Sequence, residues 1–347
     1  MMVSTIINRA VMQGIPLMCG STGEIITEKA GHLNLGIPGI MYVGAISGVA
    51  GSFMYENNLG GKPINPFLAI LIPMLCCLVG ASLMGLIYCF LTVTLRANQN
   101  VTGLALTTFG IGIGNFFGGS LIKLVNIDVP SIALSATSRV FKTALPYQSW
   151  ANAMQAANAP KWLTSTVAWI GEVFLSYGFL AYLAVVIAII AAFVLRRTRL
   201  GLHLRAIGES PATADADRIP VTSYKYGATI IGSAIAGLGG LYYVMDYANG
   251  VWSNNAFGDR GWLAIALVIF AVWKPNLGIL GSILFGGLYI APIFLSDIFK
   301  ISVAGQELVK MLPYVVTIIV LIITSIMDKK ENQPPKSLGL PYFREDR

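Results

Sequence analysis

The feature that most constrains this chain is a succession of apolar runs long enough to cross a bilayer. A spanning helix needs about 20 mostly apolar residues. Nine runs reach or approach that length: Ile6–Ser21, Ile37–Tyr55, Pro66–Leu95, Val101–Leu121, Gly178–Leu195, Tyr226–Tyr247, Gly261–Trp273, Leu277–Leu295 and Pro313–Met327. The first run and the short Gly261–Trp273 run are the weakest, so the reading admits eight to ten spans. Composition agrees. Hydrophobic residues make up 55% of the chain and charged residues 11%, against about 25% charged in soluble domains. In water such a chain would expose large apolar surfaces, which makes lipid its solvent. The 37 glycines suit close approach between membrane helices. The expected fold is an all-α polytopic transmembrane bundle over residues 1–327, with short re-entrant or broken elements and a tail at 328–347.

The net charge of +7 does not signal a nucleic-acid partner, because Lys and Arg cluster at the ends of apolar runs, where positive charge orients helices. The densest cluster lies in the connector 196–225, with Arg196, Arg197, Arg199, Arg205, Arg218 and Lys225. Placing it inside puts Lys29, Arg96, Lys274 and the tail inside as well, and the N-terminus outside. The outer connector 122–177 contains an amphipathic stretch, Leu163–Leu175, suited to lie along the membrane surface. The tail, with Pro334 and Pro335, reads as poorly ordered. Cys19, Cys76, Cys77 and Cys89 sit in apolar stretches and read as packing residues rather than metal ligands or a disulfide set. The N-terminus lacks the basic start and cleavage site of a removable signal, so the first span is expected to stay.

Three stretches depart from plain apolar helix. Residues 23–39 combine recurring glycines with Glu24, Glu28 and Asn34. Charge is costly in lipid, and glycine and proline loosen a helix. The stretch is therefore expected to leave the spanning helices, as an inner turn or as a broken element beside a pathway. In the connector, Ser210 and Pro211 form a helix start with Asp215 and Asp217 following. A helix of Ala212–Arg218 is too short to stand alone, so it either docks a soluble partner or packs on its own bundle. Third, Gly258–Ala266 and Val272–Asn276 read as a helix entry and a tight turn, with Asp259 and Arg260 as an interfacial pair of little weight.

These stretches together resemble the branched-chain amino acid/ribose-type ABC permeases. The closest likeness is to their nucleoside and simple-sugar branch, served by lipoprotein binding proteins. The branch opens with G-E-x-x-x-E-x-x-G-x-x-N-x-G-x-x-G, matched here by Gly23, Glu24, Glu28, Gly31, Asn34, Gly36 and Gly39. Pro38 departs from it, standing where the branch often carries a glutamate. The connector L-R-A-I-G-E-S-P-x-x-A at Leu204–Ala214 is similar to the family's ATPase-docking loop, which implies docking roles for Arg205, Ala206, Gly208, Glu209, Ser210, Pro211 and Ala214. The resemblance implies an importer subunit of the bacterial plasma membrane with no cofactor of its own. Its implied partners are a separate ABC ATPase, a second and non-identical permease, and an extracytoplasmic substrate-binding lipoprotein. The sequence itself holds no G-x-x-x-x-G-K-[ST] nucleotide loop.

For a nucleoside, the path needs aromatic faces and side-chain amides or hydroxyls. Candidates are Thr107, Thr108, Phe109, Asn115 and Phe116 in one glycine-rich span, together with Asn34 and Asn100 at inner helix ends, where capping is the plainer role. A simple sugar such as ribose is the alternative substrate. An ion-coupled transporter would bury charge in mid-span, and these runs hold almost none. His32 and His203 form no metal motif with nearby carboxylates, and no channel filter signature is present.

Overall fold

The computed structural model describes residues 2–60, 62–124, 132–143, 149, 152, 160–300, 302–327 and 333–343. Helix α1 (Met2–Lys29) and α2 (Ile37–Leu59) are joined by a turn over 30–36. Helix α3 (Pro66–Cys89) ends in a π-helical turn, Phe90–Thr94, before α4 (Gln99–Leu124). There follow β1 (Ile132–Ala133), α5 (Ser135–Phe141), α6 (Lys161–Ile170) with the π-helical turn Gly171–Leu175, and α7 (Phe179–Arg197). The connector forms α8 (Arg199–Glu209) and α9 (Pro211–Ala216), then α10 (Val221–Tyr242) runs into a third π-helical turn, Tyr243–Tyr247. Strand β2 (Val251–Trp252), α11 (Arg260–Phe270), α12 (Pro275–Phe299), α13 (Val303–Lys310) and α14 (Leu312–Met327) complete the chain order.

The chain is a polytopic helical bundle. Among the described residues, seven helical segments are long and apolar enough to cross a membrane: α2, α3, α4, α7, α10, α12 and the joined α13–α14. The expected spans outside that set are the two weakest runs. Helix α1 is long enough but carries Arg9, Glu24, Glu28 and Lys29, and α11 has only 11 residues. Sequence punctuation sets several starts. Asn65 accepts the Phe67 amide ahead of α3, Thr198 caps α8, Ser210 caps α9 and Ser302 caps α13. Side-chain caps of this kind satisfy backbone donors that a first helical turn leaves open.

Helices α2 and α10 form the centre, packed on each other and on α3, with α1 against α10, α11 and α12. Their buried face includes Ile40, Met41, Tyr88, Leu241 and Tyr242. Outward-facing apolar side chains such as Phe67, Leu75 and Leu83 on α3, and Ile318, Ile322 and Ile326 on α14, cover the periphery. Lipid tails are as apolar as leucine, so helix association rests on close packing rather than on hiding these residues. At the α2–α4 crossing, a Cβ on Gly39 would lie 2.5 Å from the Leu106 carbonyl oxygen, and one on Gly110 would lie 2.6 Å from the Gly39 oxygen. Gly114 likewise yields to the Tyr42 ring, whereas Gly112 faces open space.

Two ends of the bundle carry the polar structure. One gathers the 30–36 turn, Arg96, α8–α9 and the tail. The other holds β1 and β2, paired antiparallel with Ile132 opposite Trp252, together with α5 and the loop before α11. The structure departs from the sequence reading at four places. The polar stretch from Gly23 stays helical to Lys29 and only then breaks, because both carboxylates find buried hydrogen-bond donors. The connector folds as two helices, α8 having its own Thr198 cap. The tail, expected to be poorly ordered, packs on the bundle over 333–343, with Ser337 buried. Arg260 turns inward, stacking on tyrosines rather than pairing with Asp259 at the surface.

Candidate functional site

The opening motif builds the first site. Glu24 is fully buried, and its Oε1 accepts the Asn34 backbone amide at 2.8 Å. Asn34 Oδ1 accepts the Gly36 amide at 2.9 Å, an Asx turn that delivers the chain into α2. Glu28 Oε2 accepts the indole N–H of Trp273, from the turn between α11 and α12. Val272 and Trp273 hold left-handed φ values of 52° and 53°, which bulky residues adopt only when their surroundings impose it. Gly31 has φ +82°, and a Cβ there would lie 2.7 Å from Ser337 Oγ, so glycine serves both the turn and the approach of the tail.

Neighbouring helices close on the turn backbone. Tyr88 OH donates to the Leu33 carbonyl at 2.6 Å, Gln99 Oε1 accepts the Leu33 amide at 2.8 Å, and Thr107 Oγ1 donates to the Leu35 carbonyl at 2.8 Å. His32 lies beside Thr229, its Nδ1 3.3 Å from the hydroxyl. Burial pushes the His32 imidazole well below its ordinary pKa, and the charge of Lys225 adds to the effect. His203 sits 2.7 Å from Tyr224 OH.

The connector is fastened to this turn and to the tail. Ser337 N donates to the Gly208 carbonyl at 2.9 Å and Ser337 Oγ donates to the same oxygen at 2.6 Å. Gly339 N reaches the Gly31 carbonyl at 3.3 Å, and Tyr342 OH donates to Asp215 Oδ2 at 2.8 Å. Gly208 leaves no room for a side chain against the Lys29 carbonyl and Pro335. Ala214 is buried with Ile207 and Val221, Ser210 starts α9 with Pro211 in its first turn, and Arg205 Nε donates to the Gly201 carbonyl at 3.3 Å. Arg205 and Glu209 are exposed and Ala206 is half-buried. The connector motif therefore splits into residues that hold the helix pair and residues that stay exposed.

The candidate pathway residues separate. Asn34 and Thr107 belong to the turn just described. Asn100 and Thr108 are exposed, and Phe109 and Phe116 point outward. Asn115 stands at the opposite end of the bundle. Its Oδ1 accepts Tyr42 OH at 2.5 Å and its Nδ2 donates to Asn255 Oδ1 at 3.0 Å. Tyr42 OH also accepts the Asn255 amide at 2.9 Å, and its ring meets Trp252 edge-on at 5.0 Å between centroids. Beside this group, Arg260 lies 4.4 Å from the Tyr243 ring centre and 4.8 Å from that of Tyr289, and donates to Gln13 Oε1 at 3.1 Å and the Phe257 carbonyl at 2.8 Å. Asp246 is buried in the π-helical turn that ends α10. Gln99, Trp273, Ser337 and Tyr42 were not legible as site residues, because each acts across a long sequence separation. The only sequence signal was a polar or aromatic residue next to a glycine-rich turn.

With this geometry in place, comparison with known proteins gives a consistent picture. The family described as "Branched-chain amino acid transport system / permease component" matches residues 6–321. A putative glucose ABC transporter permease of Haloferax volcanii, TsgC13, is 31% identical over 81% of this chain and 74% of its own. The nucleoside ABC transporter permease NupC of Lactococcus lactis is 30% identical over 91% and 90%. The guanosine ABC transporter permease NupQ of Bacillus subtilis is 26% identical over 99% and 97%. No solved structure matches the chain.

Proposed function

This chain belongs to the branched-chain amino acid transport system permease family, multi-pass ABC permeases of the plasma membrane, and on that premise we propose that it carries nucleosides inward while a separate subunit hydrolyses ATP. The family implies an ATPase partner. The fastened connector supports the place where that partner sits. A six-residue helix is too short to be stable alone, yet α9 is held from behind by α8, the start of α10 and Tyr342 of the tail. The exposed side of the pair presents Glu209 at the end of α8, and Ala212 and Thr213 on α9. On this reading the connector end faces the cytoplasm and the Asn115 end faces outward. There a binding lipoprotein delivers substrate, and a second, non-identical permease completes the path.

The observation that favours a nucleoside is the group formed by Tyr42, Trp252, Asn115 and Asn255. It joins aromatic rings to two side-chain amides, as a base and a ribose require. The relatives named for nucleosides and guanosine point the same way. The relative named for glucose gives a simple sugar as the second reading.

The decisive experiment is uptake of labelled guanosine into proteoliposomes holding the permease pair, its ATPase and its binding protein. Uptake requiring ATP, and lost in Glu209→Arg with Ala212→Arg while the protein stays folded, is the expected outcome. Both positions are exposed, so the variant alters the docking face and not the packing. Uptake of ribose or glucose alone would replace the substrate and keep the mechanism. Uptake driven by a proton or sodium gradient without ATP would overturn the proposal.

A further inference from the structure

At the connector end, a cavity of about 280 Å³ opens between the end of α3, the start of α10 and the tail. Lys225, Arg96, His32, Thr92, Asp215 and Tyr342 are among the residues lining it. Lys225 is 2% exposed. Among the described residues its ammonium takes part in no ion pair, and no carboxylate is spent on it. An amine buried to this degree is ordinarily matched by an anion or by several acceptors. Arg96 stands at the cavity rim with φ 58°, its guanidinium 4.7 Å from the Phe343 ring centre. The stack fixes the cation, and among the described residues its hydrogen-bond donors stay unspent, since ring faces attract charge without accepting along the N–H directions. The carboxylate in the wall, Asp215, accepts from Tyr342 OH at 2.8 Å, which ties the tail down as the cavity's roof.

We infer that this cavity is a binding site for a phosphate-bearing group. Lys225 supplies a buried point charge, Arg96 supplies planar donors at the entrance, and Thr222 stands in the wall with its hydroxyl, whereas the Thr92 hydroxyl is spent on the Tyr88 carbonyl. Lysine and arginine together are the usual partners of phosphate oxygens. The volume of about 280 Å³ falls just below that of drug-sized sites, which begin at about 300 Å³. It suits inorganic phosphate, a small phosphorylated solute or a lipid headgroup entering from the bilayer surface. The roof is the same tail segment that bonds to Gly208 of α8. Occupancy of the cavity and the seating of the connector therefore share one strand of chain.

The test uses the purified full-length permease in nanodiscs of phosphatidylcholine, titrated with inorganic phosphate and with AMP by calorimetry. A second preparation in phosphatidylglycerol is examined by native mass spectrometry for retained lipid. The expected result is saturable binding of a soluble phosphate, or retention of phosphatidylglycerol. In either case it should weaken at least about tenfold in Lys225→Gln and in Arg96→Gln, the loss of one charge-assisted partner. The first outcome identifies a soluble ligand and the second a headgroup. Arg96 is exposed, so Arg96→Gln keeps the fold and carries the test if Lys225→Gln does not accumulate. Binding absent from both preparations, or unchanged in Arg96→Gln, would overturn the inference.

Discussion

Glu28 shows how one residue ties distant parts of the chain. It lies at the end of α1, and the donor that satisfies it, Trp273, comes from a turn 245 residues away. That turn places two bulky residues in the left-handed region, a conformation costing about 1–3 kcal/mol per residue and held here by the indole hydrogen bond. Trp273→Phe keeps an aromatic ring but removes the donor and part of the buried volume, leaving a carboxylate oxygen unsatisfied at a cost of about 1–3 kcal/mol besides the lost packing. The expected result is a lower melting temperature in detergent, and an unchanged value would show that the bond carries no weight. His32 gives a pH signature. Burial holds its pKa below the unfolded value, so the unfolded chain takes up the proton first as pH falls. Stability is therefore complete above about pH 6.5 and declines below it. Burial holds the Glu28 carboxyl up to about 7, which adds an opposite slope over the same range. The comparison between proteins therefore carries the test: in thermal melts between about pH 5 and 6.5, the stability lost on acidification should be smaller in His32→Gln than in the wild type. An equal slope in both would assign the effect to another group.

At the scale of elements, the tail is the piece that sequence reading most underrates. Its prolines and charges describe a segment with little core-forming capacity of its own. Ser337, Gly339 and Tyr342 nevertheless find partners on α8, the 30–36 turn and α9. Deleting residues 335–347 should raise amide exchange in the 30–36 turn and in α9, since local stability follows the contacts that close a segment. The spanning helices should exchange as before. Protection of α9 that survives the deletion would show that the connector is held by the bundle alone. Among the described residues, π-helical turns lie at 90–94, 171–175 and 243–247. Each sits at the end of a helix predicted to be regular, and one of them carries buried Asp246 into the bundle.

For the whole molecule, the two polar ends give separable predictions. Asn115→Ala removes an amide that touches both Tyr42 and Asn255, and it should raise the apparent KM for guanosine uptake roughly tenfold through loss of one or two hydrogen bonds. ATP-dependent coupling should stay intact. A fall in kcat without a change in KM would move Asn115 from the substrate to the conformational cycle. The bundle, its approximate span number and the family were legible in the sequence, because hydrophobic runs and glycine spacing are local and bilayer thickness fixes their length. The motif at 23–39 was legible as a polar interruption for the same reason. What only the tertiary structure decided is which polar residues meet. The break falls after Lys29 rather than at Gly23 because Asn34 and Trp273 each bring one donor to a buried carboxylate. Phe109 and Phe116 point outward while Asn115 joins Tyr42, since rotation about the α4 axis is set by the α2 contact at Gly39 and Gly110. Lys225, Arg96 and Tyr342 share a cavity only because the tail folds back. Such pairings join residues up to hundreds of positions apart, and no local pattern in a chain encodes them.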